Sequence, residues 1–169
     1  MANVKRQPGD QTKRYNLFCE HIQKKSKVLV LGLASKDDAE YFRTCKYQVT
    51  VGDVDEELVK SLTSQDFEGK AIDLKNMPYQ NEFDGVYCSK LLLDAKKEEV
   101  VDYLREIKKA CKIPGTIFVS FNYKSGIEVD EFVIKEASVL LGLDLLDVKV
   151  INDATNGNHL TLDVLLLKK

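Results

Sequence analysis

The chain is predicted to fold as an α/β protein, a three-layer α/β/α sandwich on a mainly parallel sheet that ends in an antiparallel hairpin. Three observations predict it. Short apolar runs alternate with amphipathic helical segments along the whole length, the pattern of repeated strand-helix units. Residues 27 to 33, KVLVLGL, are almost continuously aliphatic, as expected of a central strand buried on both faces. The final two strand-like runs, 143 to 151 and 159 to 167, are separated by a loop of turn formers, NDATNGN, and so form a hairpin.

With 169 residues and 44% hydrophobic composition, the chain can bury one core but not two comfortable ones. The expected organisation is a polar tail over 1 to 9, closed by Pro8-Gly9, and a single domain over 10 to 169. Lys and Arg number 25 against 27 Asp and Glu, so no strong net field draws the chain to nucleic acid or to a membrane. Basic residues crowd the first 27 positions, among them Arg14, and read as a solvated tail and helix face. Cys19, Cys45, Cys88 and Cys111 lie far apart without a CxxC or a histidine at ligand spacing, so no metal site is implied. Dispersed thiols and a start without an apolar leader predict a cytoplasmic protein.

The elements follow in order. An amphipathic helix begins at Asp10, with Tyr15, Phe18, Cys19 and Ile22 on its apolar face. After the first strand, Ser35 and Asp38 stand three apart like a capping box, opening a helix whose Ala39 and Phe42 face inward. The second strand covers 48 to 53, and Asp55, Glu56 and Glu57 favour the first turn of the next helix. A short third strand covers 70 to 74, a fourth 83 to 89, a helix 96 to 111 and a fifth strand 116 to 122. A last helix over 129 to 141 leads through Gly142 into the hairpin.

In sheets of this kind ligands bind outside the carboxyl ends of the strands, where strand order reverses. The loops after Leu33, Asp53, Asp73 and Ser89 occupy those ends. Asp53 stands about 20 residues beyond Gly32, the spacing at which a carboxylate can hold ribose hydroxyls.

Together VLVLGLA, VTVGDVDEEL, AIDLKNMPYQNEFDGVYCSKLLL and CKIPGTIFVSF, followed by the hairpin, resemble the ordered motifs of class I S-adenosylmethionine-dependent methyltransferases from about Asp10 to Lys169. The resemblance implies a Rossmann-like seven-stranded sheet of order 3-2-1-4-5-7-6. It implies S-adenosylmethionine as cofactor, with the glycine loop at Gly32 and Ala34 beside the methionine part, Asp53 at the ribose hydroxyls and Val54 after it among the cofactor-binding residues. Asp73 and Leu74 would meet the adenine, and Ser89 after the fourth strand would complete the site. The expected partner is a small-molecule acceptor or another protein.

The chain departs from that family at its first motif. Acidic-x-Gly-x-Gly-x-Gly becomes Val30-Leu31-Gly32-Leu33-Ala34-Ser35-Lys36, which removes a carboxylate and two glycines. No neighbour of Val30 in sequence replaces the lost charge. Lys36 reads as pointing outward along its helix. After the fourth strand stands Cys88-Ser89-Lys90-Leu91 rather than Asn/Asp-Pro-Pro-Tyr, which disfavours adenine and glutamine nitrogens as acceptors. Cys88 reads as a packed thiol, His21 and His159 as structural or surface residues, and Tyr15 and Tyr123 either as packing residues or as covers over the pocket. Two other readings remain open: a catalytically inactive scaffold or regulatory partner of the same fold, and a nicotinamide-dependent dehydrogenase sharing the early strand-helix-strand unit.

Overall fold

In the computed structural model, which describes residues 9–34, 36–123, 128–153 and 159–169, the elements alternate as the hydrophobic pattern requires. They are α1 (Gly9–Cys19), β1 (Lys27–Leu31), α2 (Asp37–Thr44), β2 (Gln48–Asp53), α3 (Glu56–Thr63), β3 (Glu68–Ala71), β4 (Phe83–Cys88), α4 (Lys97–Ala110), β5 (Cys111–Asn122), α5 (Glu131–Leu141), β6 (Leu143–Asp153) and β7 (His159–Lys168). One sheet of order β3-β2-β1-β4-β5-β7-β6 holds all seven strands. β1 pairs in parallel with β2 and β4, and β7 lies antiparallel between β5 and β6. This is the fold that the motif order implies.

Two apolar layers sandwich the sheet. Tyr15 and Phe18 of α1, Ala39 and Phe42 of α2 and Val59 and Leu62 of α3 pack on one face with Val30, Tyr87 and Phe118. Val100, Leu104 and Ile107 of α4 and Ile134 and Ala137 of α5 pack on the other with Leu29, Val86 and Val119. Gly85 on β4 is what seats α1: a Cβ there would stand 2.5 Å from the Phe18 ring.

Several boundaries move from their sequence expectations. β1 stops at Leu31 and not at 33, because Gly32 takes φ +88 and turns the chain out of the sheet. β3 forms earlier, over Glu68–Ala71, since parallel pairing with β2 sets its register from Thr50↔Glu68 to Asp53↔Ala71. β5 starts at Cys111, where the chain returns beside Phe83 before a register shift. Asp55 does not lie inside α3 but caps it, its carboxylate accepting from the N–H groups of Glu57 and Leu58. Gly9 already belongs to α1, so the expected tail is shorter at its end, and its residues 1 to 8 lie outside the described residues.

Candidate functional site at the carboxyl edge of the sheet

Strand order reverses between β1 and β4, so the loops after β1, β2, β3 and β4 share one edge. The edge has two ends of different character. At the β2 end, Asp53 is 4% exposed and both of its oxygens are held by main chain. Oδ2 accepts from the Leu33 N–H at 2.7 Å and Oδ1 from the Asp55 N–H at 3.0 Å. The carboxylate thereby ties the β1–α2 turn to the tip of β2. Each such charge-assisted bond contributes about 1.5–3 kcal/mol.

Beside this anchored carboxylate the surface is open. Val54 is 53% exposed, an apolar side chain left in water at the strand tip. Asp73 is exposed in the neighbouring loop, where its Oδ1 accepts from the Lys75 N–H, and Leu74 next to it is half-buried. The structure thus brings Asp53, Val54, Asp73 and Leu74 together at one end, as their strand-end positions predict.

At the β4 end lies a group that the sequence did not disclose. The Asp38 carboxylate, fully buried on α2, accepts from Gln11 Nε2 at 2.7 Å and Tyr15 Oη at 2.6 Å on Oδ1. On Oδ2 it accepts from Ser89 Oγ at 2.7 Å and Lys90 Nζ at 3.2 Å. The Gln11 amide is oriented by its second contact, because its Oε1 accepts from Arg14 Nη1. Arg14 in turn grips Asp163 through Nε at 2.6 Å and Nη2 at 3.1 Å, while Ser120 and Thr161 also donate to that carboxylate. One polar chain therefore runs from Lys90 through Asp38, Gln11 and Arg14 to Asp163, stitching α1 to α2, β4, β5 and β7. Low dielectric strengthens each of these bonds and makes each loss costly.

This arrangement corrects one expectation and reshapes another. Arg14 is not on a solvated face but is 4% exposed and ion-paired. The capping box expected at Ser35 falls on a residue outside the described ones; Lys36 holds the N-cap position without a side-chain bond, and Asp38 turns inward. Val30 packs into the α1–α2 layer. A periodic signal existed. Gln11, Arg14, Tyr15 and Phe18 stand at i, i+3, i+4 and i+7, so the buried stripe of α1 includes both polar residues.

The remaining positions can be placed. Ala34 is exposed, so its methyl meets open space, and Lys36 points outward toward Glu40 at 3.7 Å. Gly32 is covered: a Cβ there would lie 2.9 Å from the Leu91 main-chain nitrogen, so the β4–α4 loop rests directly on it. Ser89 is buried and committed to Asp38. Burial pushes the Cys88 thiol up to about 12, which leaves it protonated and packed. Burial, then the neighbouring Asp38 charge, raises the Tyr15 hydroxyl well above its ordinary value, so it serves as a donor. The buried Tyr87 hydroxyl, also raised by burial, finds no hydrogen-bond partner among the described residues. His21 is exposed and engages the Leu17 carbonyl, Tyr123 is half-buried against the α4–α5 layer, and the side chain of His159 lies outside the described residues.

The fit to S-adenosylmethionine is therefore divided. The β2–β3 end has the carboxylates and the exposed apolar surface that a nucleoside needs. At the other end the donors that could meet an amino-acid carboxylate already hold Asp38, and the Leu91 main chain sits directly against Gly32.

No family model matches the sequence, and no curated protein matches it. Solved structures do match the fold. The 1,6-didemethyltoxoflavin-N1-methyltransferase of Burkholderia thailandensis, described with bound 1,6-didemethyltoxoflavin and S-adenosylhomocysteine, is similar at 16% identity and TM-score 0.77, over 99% of this chain and 81% of that one. An S-adenosylmethionine-dependent methyltransferase from Mesorhizobium loti aligns at 13% identity and TM-score 0.77, over 95% and 98% of the two chains. The [4+2]-cyclase SpnF aligns at 15% identity and TM-score 0.72, over 98% and 84%. The chain has the class I methyltransferase fold, and a fold hosts more than one chemistry.

Proposed function

We propose that this chain is an S-adenosylmethionine-dependent methyltransferase acting on a small acceptor. The observation that carries the reading is the β2–β3 end, where Asp53 is fixed at the strand tip with exposed Val54 and Asp73 beside it. Asp53 would take the ribose hydroxyls on its remaining lone pairs, Val54 and Leu74 would pack on the adenine faces, and Asp73 would accept from the adenine amine. The methyltransferases of the same fold named above support the reading. S-adenosylmethionine supplies an electrophilic methyl group on a sulfonium, and alignment of the acceptor is the protein's main contribution to its displacement. The free thiols support a reducing, cytoplasmic setting.

A second reading has its own observation. Leu91 over Gly32 and the saturated Asp38 cluster favour a chain that binds a nucleoside but transfers nothing, a non-catalytic partner of an active enzyme.

Titration calorimetry with S-adenosylmethionine, S-adenosylhomocysteine and adenosine separates the two. Methyl transfer predicts that both full-length ligands bind at least tenfold more tightly than adenosine, and that Val54→Asp weakens all three by about tenfold or more without changing the unfolding midpoint. Adenosine binding as tightly as the longer ligands favours the second reading. No heat from any ligand with folded protein sinks both.

A further inference from the structure

The sheet ends on its far side in β6, an outermost strand of eleven residues whose only described partner is β7. Long edge strands with apolar side chains invite another strand. Here Leu146 is 39% and Val150 44% exposed, and the register shift between Leu145 and Asp147 leaves Leu146 without a partner on β7. The adjacent helix α5 adds Phe132 and Val139, at 65% and 83% exposure. Four large apolar side chains are thus exposed on β6 and the helix beside it.

The charges on β6 say what covers it. Asp147 and Lys149 flank Val148, one of each sign, on the same face of the strand and 3.1 Å apart. We propose that β6 pairs antiparallel with β6 of a second copy of this chain, about a two-fold axis through Val148. In that register Asp147 stands opposite Lys149 of the second copy, and Lys149 opposite its Asp147. Leu146 meets Val150 in the same reciprocal way. A strand bearing two like charges at these positions would repel itself, whereas this one is its own complement.

The helices agree with the same axis. α5 joins β6 through Gly142 and runs beside it in the opposite direction, so Phe132 at its start lines a groove with Val148 and Val150, while Val139 lies in its last turns, toward the start of β6. The two-fold that exchanges Leu146 and Val150 carries Phe132 of one copy toward Val139 of the other. Both layers then close in a single isologous interface.

Sedimentation velocity on the full chain over a wide concentration range tests the pairing. The expected result is a dimer whose dissociation constant rises about tenfold in Lys149→Asp, which sets aspartates against each other across both sides of the axis. The double exchange Asp147→Lys with Lys149→Asp reverses every pair and restores the dimer. Val150→Arg, at an independent position, weakens it again. Far-UV circular dichroism checks that each variant is folded. A monomer at every concentration overturns the proposal. So does a dimer indifferent to Lys149→Asp, or one that the double exchange fails to restore.

Discussion

The two ends of the ligand edge use carboxylates in opposite ways. Asp53 is held by the main-chain N–H groups of Leu33 and Asp55, with exposed Val54 next to it and Asp73 open to solvent in the neighbouring loop. Asp38 is held by side chains from α1 and from the β4–α4 loop, and nothing of it is exposed. Main-chain donors position a carboxylate while leaving side-chain space above it, so that end remains open to a ligand. Side-chain donors converge on their acceptor and fill the space, so the other end behaves as structure. One sheet edge can therefore be open at one end while its other end is a seam between helices.

The largest effect should separate the two ends directly. Asp38→Ala leaves Gln11, Tyr15 and Ser89 buried without their acceptor and is expected to cost about 3–5 kcal/mol of stability. Urea unfolding measures it, and a loss under about 1 kcal/mol would mean that the seam opens readily to water. Asp53→Ala removes the acceptor for two main-chain donors and is expected to cost about 1–3 kcal/mol by the same measurement. Asp73→Asn, in the open loop, should change stability by less than about 0.5 kcal/mol while still weakening nucleoside binding. If Asp73→Asn proved as destabilising as Asp38→Ala, the contrast between the ends would collapse.

A further effect comes from pH, in the alkaline range alone. Burial raises the Cys88 and Cys111 thiols from an ordinary 9 to about 12, so the folded state prefers them protonated. Stability from this source is complete below pH 9 and falls as pH climbs toward 12, by up to ~1.4 kcal/mol per thiol for each unit. The buried hydroxyls of Tyr15 and Tyr87, raised by burial as well, act with the same sign above pH 10. Alkylation at neutral pH should mark exposed Cys45 quickly and reach Cys88 and Cys111 only on unfolding. Rapid labelling of Cys88 in folded protein would show that the β4 end opens.

Most of the fold was legible because strand and helix periods are local. The aliphatic run before Gly32, the spacing to Asp53 and the antiparallel pairing of the last two strands each read correctly within a few residues. Asp53, Asp73, Val54 and Leu74 could be placed at the carboxyl edge of the sheet because a strand end fixes where its next residues lie. Asp38 could not, since Ser35 three residues before it offered a local capping role and its four donors come from positions 23 to 52 residues away. Arg14 looked like one more surface cation, and only its carboxylate partner 149 residues along the chain makes its burial tolerable.

By itself, then, the sequence determined the order of elements, the parallel sheet with its closing hairpin, and the acidic tip of β2, all consequences of short-range hydrophobic pattern and backbone sterics. Tertiary structure alone decided that α1 is pinned through Arg14 and Gln11, that Asp38 is buried under four side-chain donors, and that Leu91 covers Gly32. Those outcomes rest on which distant groups meet in a low-dielectric interior. There, a buried charge is tolerated only when its partners arrive with it.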